Sequence, residues 1–146
     1  MCNWTFNGRI VLEDDYKSSI GFLYKITHPS SGRWYLGRKM LTKSKITQSK
    51  GIKKKSKVES DWKEYWSSSK EIQELVALEG TDKFTREILI FCDTKATMTL
   101  GEEYILHVSG SMFDEKCFNQ NIRAKIYKSW FKKTPNFFNS LQELSL

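Results

Sequence analysis

The sequence predicts a small α/β (α+β) domain in which a three-stranded, mainly antiparallel sheet is flanked by helices. Three observations lead to this prediction: two strand-like segments joined by a turn, a later apolar strand-like segment at 84–92, and two helical segments that begin at capping residues. The chain has 146 residues, which is enough for one domain with one modest core.

The first two strands form a predicted hairpin. Residues 20–27 and 33–39 read as strands, and the His-Pro-Ser-Ser-Gly segment at 28–32 is typical of a tight connection. Tyr24 lies on the first strand and Tyr35 on the second. The two phenolic hydroxyls are therefore expected close together, and in a basic chain such a pair suggests a site that handles a phosphate.

The second strand places further side chains beside the tyrosines. Because successive side chains of a strand point to opposite faces, Gly37 and Lys39 share a face with Tyr35. Lys39 then joins the tyrosine pair, and Gly37 leaves a gap that would admit the backbone of a ligand. Arg38 points to the other face, where it would pack under the sheet or turn away.

Two segments on either side of the hairpin are expected to be irregular. Residues 1–19 predict an N-terminal arm with a short strand at 9–12. Residues 38–57 contain nine basic residues and no acidic one. A run of this kind repels itself, so the lysine-rich insertion at 40–58 predicts a long mobile loop or extended arm. It either contacts the phosphates of a nucleic acid or is a solvated linker.

The remaining elements follow from their start and stop signals. A short helix is expected at 61–66, and Ser-Ser-Lys-Glu at 68–71 opens a helix that Gly80 ends. The strand at 84–92 becomes more apolar along its length, which predicts the most buried position in the sheet. Asp93 or Thr94 begins the next helix.

The C-terminal part of the chain is basic and aromatic. A last basic helix is expected at 122–131, before Pro135, and a short segment from Phe137 to Leu141 could fold back onto the core. The whole segment 126–146 is expected to pack on the same domain as the rest of the chain.

Composition limits the function classes. The net charge of +7 favours an anionic partner, with nucleic acid first. Three widely spaced cysteines argue against a disulfide framework or zinc site, and two histidines argue against zinc hydrolase motifs. No signal peptide or membrane-spanning run is recognisable, so a cytoplasmic location without a membrane partner is expected, the host cytoplasm if the chain is encoded by a phage.

The predicted helix at 94–108 offers a carboxylate. On a helical wheel Glu102 falls between Met98 and Leu106, whereas Glu103 lies further from the apolar arc. Glu102 is therefore expected to be the more enclosed of the two. An enclosed carboxylate calls for a cation, although an ordinary glutamate at the flank of a helix explains the pattern equally well.

These motifs resemble the GIY-YIG endonuclease family, closest to its small, free-standing, phage-type members that are described as homing-type. The resemblance extends over residues 20–125 and rests on five elements in order. They are Gly21-Phe22-Leu23-Tyr24 with Tyr35-Leu36-Gly37, the stretch 59–69, the strand 84–89, Gly101-Glu102-Glu103-Tyr104, and Phe118-Asn119-Gln120-Asn121-Ile122.

The resemblance implies an Mg²⁺-dependent DNA endonuclease, with Mn²⁺ as a substitute, whose products carry 5′-phosphate and 3′-hydroxyl ends. It implies that Tyr24 acts as general base on the attacking water and that Tyr35 holds the scissile phosphate. Glu102 would bind the metal ion, Lys39 would offer a positive charge to the transition state, and Asn119 would orient the site through its amide.

One departure from the family pattern concerns an arginine. Family members usually have an arginine on the first helix after the second half-motif, but no arginine occurs here between Arg38 and Arg86. Arg38, Lys39 or Lys63 must take that role. Lys70 is a further candidate, although an ordinary surface lysine explains it as well.

Double-stranded DNA is the expected partner. A homodimer or two sequential nicks would be needed to cut both strands. A catalytically weak or inactive DNA-binding module and a basic structural protein that coats nucleic acid remain as alternatives. The basic residues expected to contact DNA are Lys43, Lys45, Lys53, Lys54, Lys55, Lys63, Lys70 and Arg123.

Overall fold

The computed structural model describes residues 3–122 and 128–146, without the side chain of Lys128. Seven strands and four α-helices are found in these residues. The strands are β1 Trp4–Phe6, β2 Arg9–Ile10, β3 Gly21–His28, β4 Arg33–Met40, β5 Thr42–Ser49, β6 Ile52–Glu59 and β7 Thr85–Cys92. The helices are α1 Glu13–Tyr16, α2 Lys70–Glu79, α3 Lys95–Val108 and α4 Phe137–Gln142, with 3₁₀ turns at Trp62–Glu64, Thr81–Lys83 and Lys128–Phe131.

The fold is mixed α/β as predicted, but the main sheet has five strands and not three. Its order is β2-β1-β7-β3-β4. The two additional strands come from the segment expected to be an arm: β1 pairs in parallel with β7, and β2 pairs antiparallel with β1. β2 lies within the short strand predicted at 9–12, whereas β1 was not predicted, because three residues are too few to show a hydrophobic period. β7 occupies the central position that its apolar sequence predicts.

The register of the β3–β4 hairpin controls which side chains meet. Tyr24 lies opposite Gly37, and Tyr35 lies opposite Ile26. Residues two apart share a face of a sheet, so both tyrosines project from the same face. β4 is the edge strand of the sheet.

Two apolar cores cover the two faces of the sheet. The first contains the Tyr24 face together with Trp4, Trp62 and side chains of α2. The second contains Leu23, Leu36, α3 and Leu141 of α4. The predicted return of the C-terminal segment to the core is confirmed, since Leu141 is buried.

The helix boundaries follow their capping residues. The Ser69 hydroxyl accepts a hydrogen bond from the amide of Ile72 at the start of α2, and Gly80, with a φ of +89°, ends this helix. Thr94 caps α3. The short helix predicted at 61–66 is only a 3₁₀ turn at Trp62–Glu64.

The lysine-rich segment is not a loop. β5 and β6 pair antiparallel over their full length and form a separate two-stranded sheet, the lysine ribbon, residues 42–59. Lys50 and Gly51 have φ values of +52° and +77°, which suit a tight hairpin turn. The register places every strand lysine opposite a neutral residue, for example Lys45 opposite Ser56. The self-repulsion that predicted a mobile loop is therefore not concentrated in directly opposed pairs.

Part of the C-terminal prediction lies outside the described residues. Arg123 falls in the undescribed range 123–127, and so does most of the helix expected at 122–131. Among the residues that the structure covers, no helix is both long enough and apolar enough to cross a membrane.

Candidate active site around the edge strand

The two tyrosines lie side by side above β4. Their ring centres are 6.1 Å apart, with an angle of 33° between the planes. A Cβ atom placed on Gly37 would stand 2.5 Å from the Tyr24 hydroxyl oxygen and 2.9 Å from Cε1 of Tyr35. The Tyr24 hydroxyl therefore occupies the space that a side chain at position 37 would need. The gap at Gly37 was expected to admit a ligand, but it accommodates the general-base candidate instead.

Both phenols are enclosed, and this changes their acidity. Only 1% of Tyr24 is exposed. Burial raises the pKa of Tyr24 well above its ordinary value, and the neighbouring Tyr35, Tyr65 and Glu102 raise it further. Burial also raises the pKa of Tyr35, while its 3.3 Å hydrogen bond with the Ser68 hydroxyl opposes that shift. Both phenols consequently hold their protons at neutral pH.

A third phenol, which the sequence did not indicate, completes this face. The ring of Tyr65 stands at 89° to that of Tyr24, with 6.2 Å between their centres. Lys39 lies on the same face, as predicted: its Nζ atom is 3.9 Å from the centre of the Tyr65 ring and 2.6 Å from Oδ1 of Asp61. The hydrogen bond from Lys39 lowers the pKa of Asp61. Lys39 is thus oriented by an aromatic ring and a carboxylate.

Tyr65 is itself held by a buried arginine. Nη1 of Arg86 donates a 2.9 Å hydrogen bond to the carbonyl oxygen of Tyr65. The Arg86 guanidinium lies 4.6 Å from the ring of Trp4 and 4.4 Å from that of Trp66. Tyr65 belongs to an irregular segment between a 3₁₀ turn and α2, where no periodicity predicts which way a side chain points. Its proximity to Tyr24 follows from tertiary packing alone.

The other face of β4 carries charged groups. Arg38 points away from the tyrosines, as its place in the alternation predicts, and lies beside α3. Its Nη1 atom donates a 2.8 Å hydrogen bond to Oγ1 of Thr99, and its Nε atom is 3.7 Å from Oε1 of Glu102. Burial raises the pKa of Glu102, and the charge of Arg38 opposes this shift.

The expectation that Glu102 is the more enclosed carboxylate is wrong by exposed area. The Glu102 side chain is 27% exposed and that of Glu103 is 14% exposed. Glu103 instead makes the expected pair with His107, at 3.3 Å. The charge of Glu102 nevertheless contributes to the raised pKa values of both Tyr24 and Tyr35.

These groups form one candidate site that occupies both faces of the edge strand β4. The tyrosines and Lys39 lie on one face of β4, and Arg38 and Glu102 lie on the other. The Glu102 carboxylate, the two phenols and the cationic side chains of Arg38 and Lys39 therefore surround a strand that has a neighbouring strand of the main sheet on one side only.

Asn119 fixes the position of this strand. Its Oδ1 atom accepts a 2.9 Å hydrogen bond from the amide of Leu36, and its Nδ2 atom donates a 2.7 Å bond to the Leu36 carbonyl. The backbone of Phe118 adds a 2.7 Å bond to the carbonyl of Trp34. Asn119 therefore acts on the β4 backbone between Tyr35 and Gly37, and its amide is engaged with the protein itself.

Comparison with known proteins assigns the arrangement to a family. The family model described as “Putative endonuclease segE, GIY-YIG domain” matches residues 4–140. The chain belongs to the GIY-YIG endonuclease family. Searches of the curated proteins and of the solved structures found no match. The predicted family resemblance is confirmed, and the match begins earlier than expected, at the first strand of the sheet.

Four basic residues are candidates for the role of the arginine that the family pattern expects and this chain lacks. Arg38 and Lys39 both border the site. Lys63 pairs with Glu59 at 3.2 Å and lies next to Trp62, on a neighbouring surface. Lys70 is exposed in the first turn of α2, two residues after Ser68, which bonds Tyr35. In this member of the GIY-YIG family, Arg38 lies beside Glu102 and Lys39 lies on the face of the tyrosines, so these two border the candidate site more closely than Lys63 does.

Basic side chains continue outward from the site. A groove of about 470 Å³ is lined by Arg38, Lys39, Lys95 and Thr99, together with two methionines. The adjoining depression adds Lys43 and Lys57 at the base of the lysine ribbon. The ribbon residues predicted to contact DNA, namely Lys43, Lys45, Lys53, Lys54 and Lys55, are all exposed.

The residues at this site fit a magnesium ion of the kind that nucleic-acid enzymes use. In the described ranges no three His, Cys, Asp or Glu side chains come together as a metal cage. Mg²⁺ does not require such a cage, because it commonly retains several waters and binds one or two carboxylates plus a substrate phosphate. Glu102, which is partly enclosed and lies beside Arg38, is the carboxylate at this site that would hold the ion.

Proposed function

We propose that this chain is an Mg²⁺-dependent DNA endonuclease that hydrolyses a phosphodiester bond and leaves 5′-phosphate and 3′-hydroxyl ends. A homing-type or phage DNA-processing role, in the cytoplasm of the host cell, would suit such an enzyme. The observation that carries the proposal is the approach of Tyr24 and Tyr35 above Gly37, with Glu102 and Arg38 paired on the other face of β4, within a chain of net charge +7. Mn²⁺ is expected to substitute for Mg²⁺.

Tyr24 is the proposed general base. Its raised pKa opposes this role unless positive charge stands near the hydroxyl when the proton is transferred. Lys39 is the cation on the same face. Its pairing with Asp61 holds the ammonium close to the phenols before substrate binds. Because Tyr24 is protonated at neutral pH, its hydroxyl would first release its own proton to solvent, and the phenolate so formed would accept the proton of the attacking water. Lys39 would stabilise this phenolate and offset the charge that develops on the phosphate.

The other residues would position the substrate. The Tyr35 hydroxyl would donate a hydrogen bond to a phosphate oxygen, with the Ser68 hydroxyl as its partner on the protein side. Arg38 would contact the same phosphate from the opposite face of β4. A magnesium ion held by Glu102 would neutralise charge on the phosphate and on the departing 3′ oxygen. Asn119 would act as a positioning residue through the backbone of Leu36.

A catalytically weak or inactive DNA-binding module is the second candidate. The observation that favours it is the burial of Tyr24, since a base that is only 1% exposed is poorly accessible to an attacking water. Asp61 also neutralises part of the Lys39 charge. A nuclease and a binding module share the same basic surface, so cleavage distinguishes them.

One site cuts one strand at a time. A single chain carries one set of Tyr24, Tyr35 and Glu102 side chains, so the simplest product from duplex DNA is a nick. Cleavage of both strands would take two copies of the chain as a homodimer or two successive nicks. The ratio of nicked to linear plasmid at early times, measured over a range of protein concentrations, separates these routes.

The experiment that tests the function is a plasmid nicking assay with Mg²⁺ and with EDTA. Tyr24→Phe and Glu102→Gln should each abolish nicking, while gel shifts show nearly unchanged DNA binding. Tyr104→Phe is the matched control, because Tyr104 lies on α3 and its ring packs against Phe138 of α4. Nicking by Tyr24→Phe at the rate of the unsubstituted protein would refute the role of Tyr24. Gel shifts without any metal-dependent nicking would support the binding module.

A further inference from the structure

The lysine ribbon projects from the domain with both faces open. Of its sixteen strand residues, only Thr42 and Val58 are even half-buried, and both lie close to the ends where the ribbon joins the body. It is anchored at its base by backbone hydrogen bonds of 2.9 Å from Leu41 to Ile20 and from Ser60 to Leu41. A ribbon that buries so little apolar surface gains little stability from packing, so its sequence is free to serve a surface function.

The lysines are divided equally between the two faces. Alternation along paired strands places Lys53, Lys55 and Lys57 on one face and Lys43, Lys45 and Lys54 on the other. Each face also carries one exposed isoleucine: Ile46, 66% exposed, joins the first set, and Ile52, 69% exposed, joins the second. A ribbon lying flat on one anionic surface would need lysines on one face only. Two equivalent faces indicate that both meet the same kind of surface.

A groove of double-stranded DNA offers two such surfaces at a suitable distance. A single sheet with its side chains is about 10 Å thick, judged from the spacing of stacked sheets. The major groove of B-form DNA is about 12 Å wide and the minor groove only about 6 Å wide. The ribbon therefore matches the major groove, whose two walls are phosphate backbones. Eight residues per strand span about 26 Å, so lysines along the whole ribbon can follow both walls.

The base of the ribbon adjoins the candidate active site. Thr42 follows β4 after one residue, and the depression at the ribbon base is lined by Lys39, Lys43 and Lys57. The only acidic residue of the ribbon, Glu59, is at this base and pairs with Lys63. DNA held along the ribbon would thus pass next to Lys39 without meeting a carboxylate on the ribbon's length.

We propose that the lysine ribbon lies in the major groove of B-form DNA, with its two faces turned to the two phosphate backbones that border the groove. This proposal rests on the proposed function, since it assumes duplex DNA as the partner. It adds a binding mode in which the ribbon supplies sequence-independent affinity from two backbones at once and aligns the duplex with the site at β4.

The test compares two triple variants, each of which removes the strand lysine charges from one face of the ribbon. Lys53→Gln/Lys55→Gln/Lys57→Gln removes three charges from the first face, and Lys43→Gln/Lys45→Gln/Lys54→Gln removes three from the second. The control Lys17→Gln/Lys83→Gln/Lys116→Gln removes three exposed charges elsewhere on the body. For each protein, fluorescence anisotropy with a 30-base-pair duplex gives the association constant over a range of salt concentrations. Thermal unfolding confirms that all four proteins remain folded.

Each face variant should reduce the slope of log association constant against log salt by about 2 to 3, since each lost phosphate contact removes roughly 0.9. The control should change the slope by less than about 1. If only one face variant changes the slope, the ribbon lies flat on one backbone and the proposal is wrong. If neither does, while the protein still nicks DNA, the ribbon is no DNA contact and the proposed function stands. If the unsubstituted protein neither binds nor nicks DNA, both proposals fail.

The choice of groove has its own test. Duplexes with bulky substituents at pyrimidine C5 have an obstructed major groove, whereas a minor-groove ligand such as netropsin obstructs the other. A six-lysine variant combines the two triple substitutions and lacks the strand lysines of both faces. The substituted duplex should weaken binding of the unsubstituted protein to the level of this variant and should have little effect on the variant itself. Competition by netropsin, without an effect of the C5 groups, would overturn the assignment to the major groove.

Discussion

The variant Gly37→Ala probes the contact that brings Tyr24 to the edge strand. The φ of Gly37 lies outside the left-handed region, so the backbone accepts alanine and the change acts through the added methyl group alone. That methyl would stand 2.5 Å from the Tyr24 hydroxyl oxygen and 2.7 Å from Cζ, against about 3.4 Å for an ordinary contact. The hydroxyl must therefore move by about 0.9 Å (from 2.5 to 3.4 Å). Overpacking of this kind costs about 1–3 kcal/mol of unfolding free energy, and a displacement of about 1 Å at a reacting group costs about 100-fold in rate.

A double-mutant cycle isolates the contact. Tyr24→Phe removes the hydroxyl that the new methyl would strike, so Gly37→Ala should destabilise the Tyr24→Phe protein less than the unsubstituted protein. We expect the two values, from urea denaturation, to differ by about 0.5 kcal/mol or more. Tyr104→Phe provides the control background, in which Gly37→Ala should have its full effect. Equal destabilisation in all three backgrounds, or full nicking activity of Gly37→Ala, would refute the reasoning.

Three further changes test other parts of the site. Asn119→Ala should lower the unfolding free energy by about 1–3 kcal/mol, because two hydrogen bonds to the Leu36 backbone are lost; unchanged urea denaturation would contradict this. Arg38→Gln removes the charge that opposes the raised pKa of Glu102, and a carboxylate is lost as pH falls through its pKa. The acid limb of the pH–nicking profile should therefore move to higher pH, and a shift to lower pH would be the opposite result. Burial raises the pKa of Cys92 to about 12, so in a variant whose other two cysteines are serine, thiol reagents should label it only on unfolding.

The sequence predicted the tyrosine pair because two local rules suffice for it. A short turn fixes which strands are neighbours, and the alternation of side chains then places Tyr24 and Tyr35 on one face. The central position of β7 likewise follows from an apolar run. The family resemblance gave the endonuclease assignment, which the spacing of residues alone did not.

What the sequence did not predict depends on long-range packing. β1 has too few residues to show a period and pairs with the free side of β7, and it provides the strand predicted at 9–12 with its partner in the main sheet. The lysine ribbon depends on a register that keeps like charges from facing one another directly, which composition does not reveal. Tyr65 reaches the site from an irregular segment held by Arg86. The exposure of Glu102 was misjudged because a helical wheel shows the side of a helix and not what covers it.

The candidate site lies on an edge strand, which leaves both faces of β4 accessible but also leaves part of its backbone unpaired. In the proposed mechanism a phosphate is contacted from both faces of β4, by phenols on one and by Arg38 and Glu102 on the other, and an edge strand makes this possible. An edge strand is also free to move and to pair with another chain. The segment 116–119 bonds the β4 backbone at Trp34 and Leu36, and in the described residues those bonds end just before Gly37. The protein therefore covers the part of this edge that precedes Gly37 in the chain. The portion left uncovered begins where the tyrosine hydroxyls lie and continues toward the lysine ribbon, which is the direction in which we expect the duplex to run.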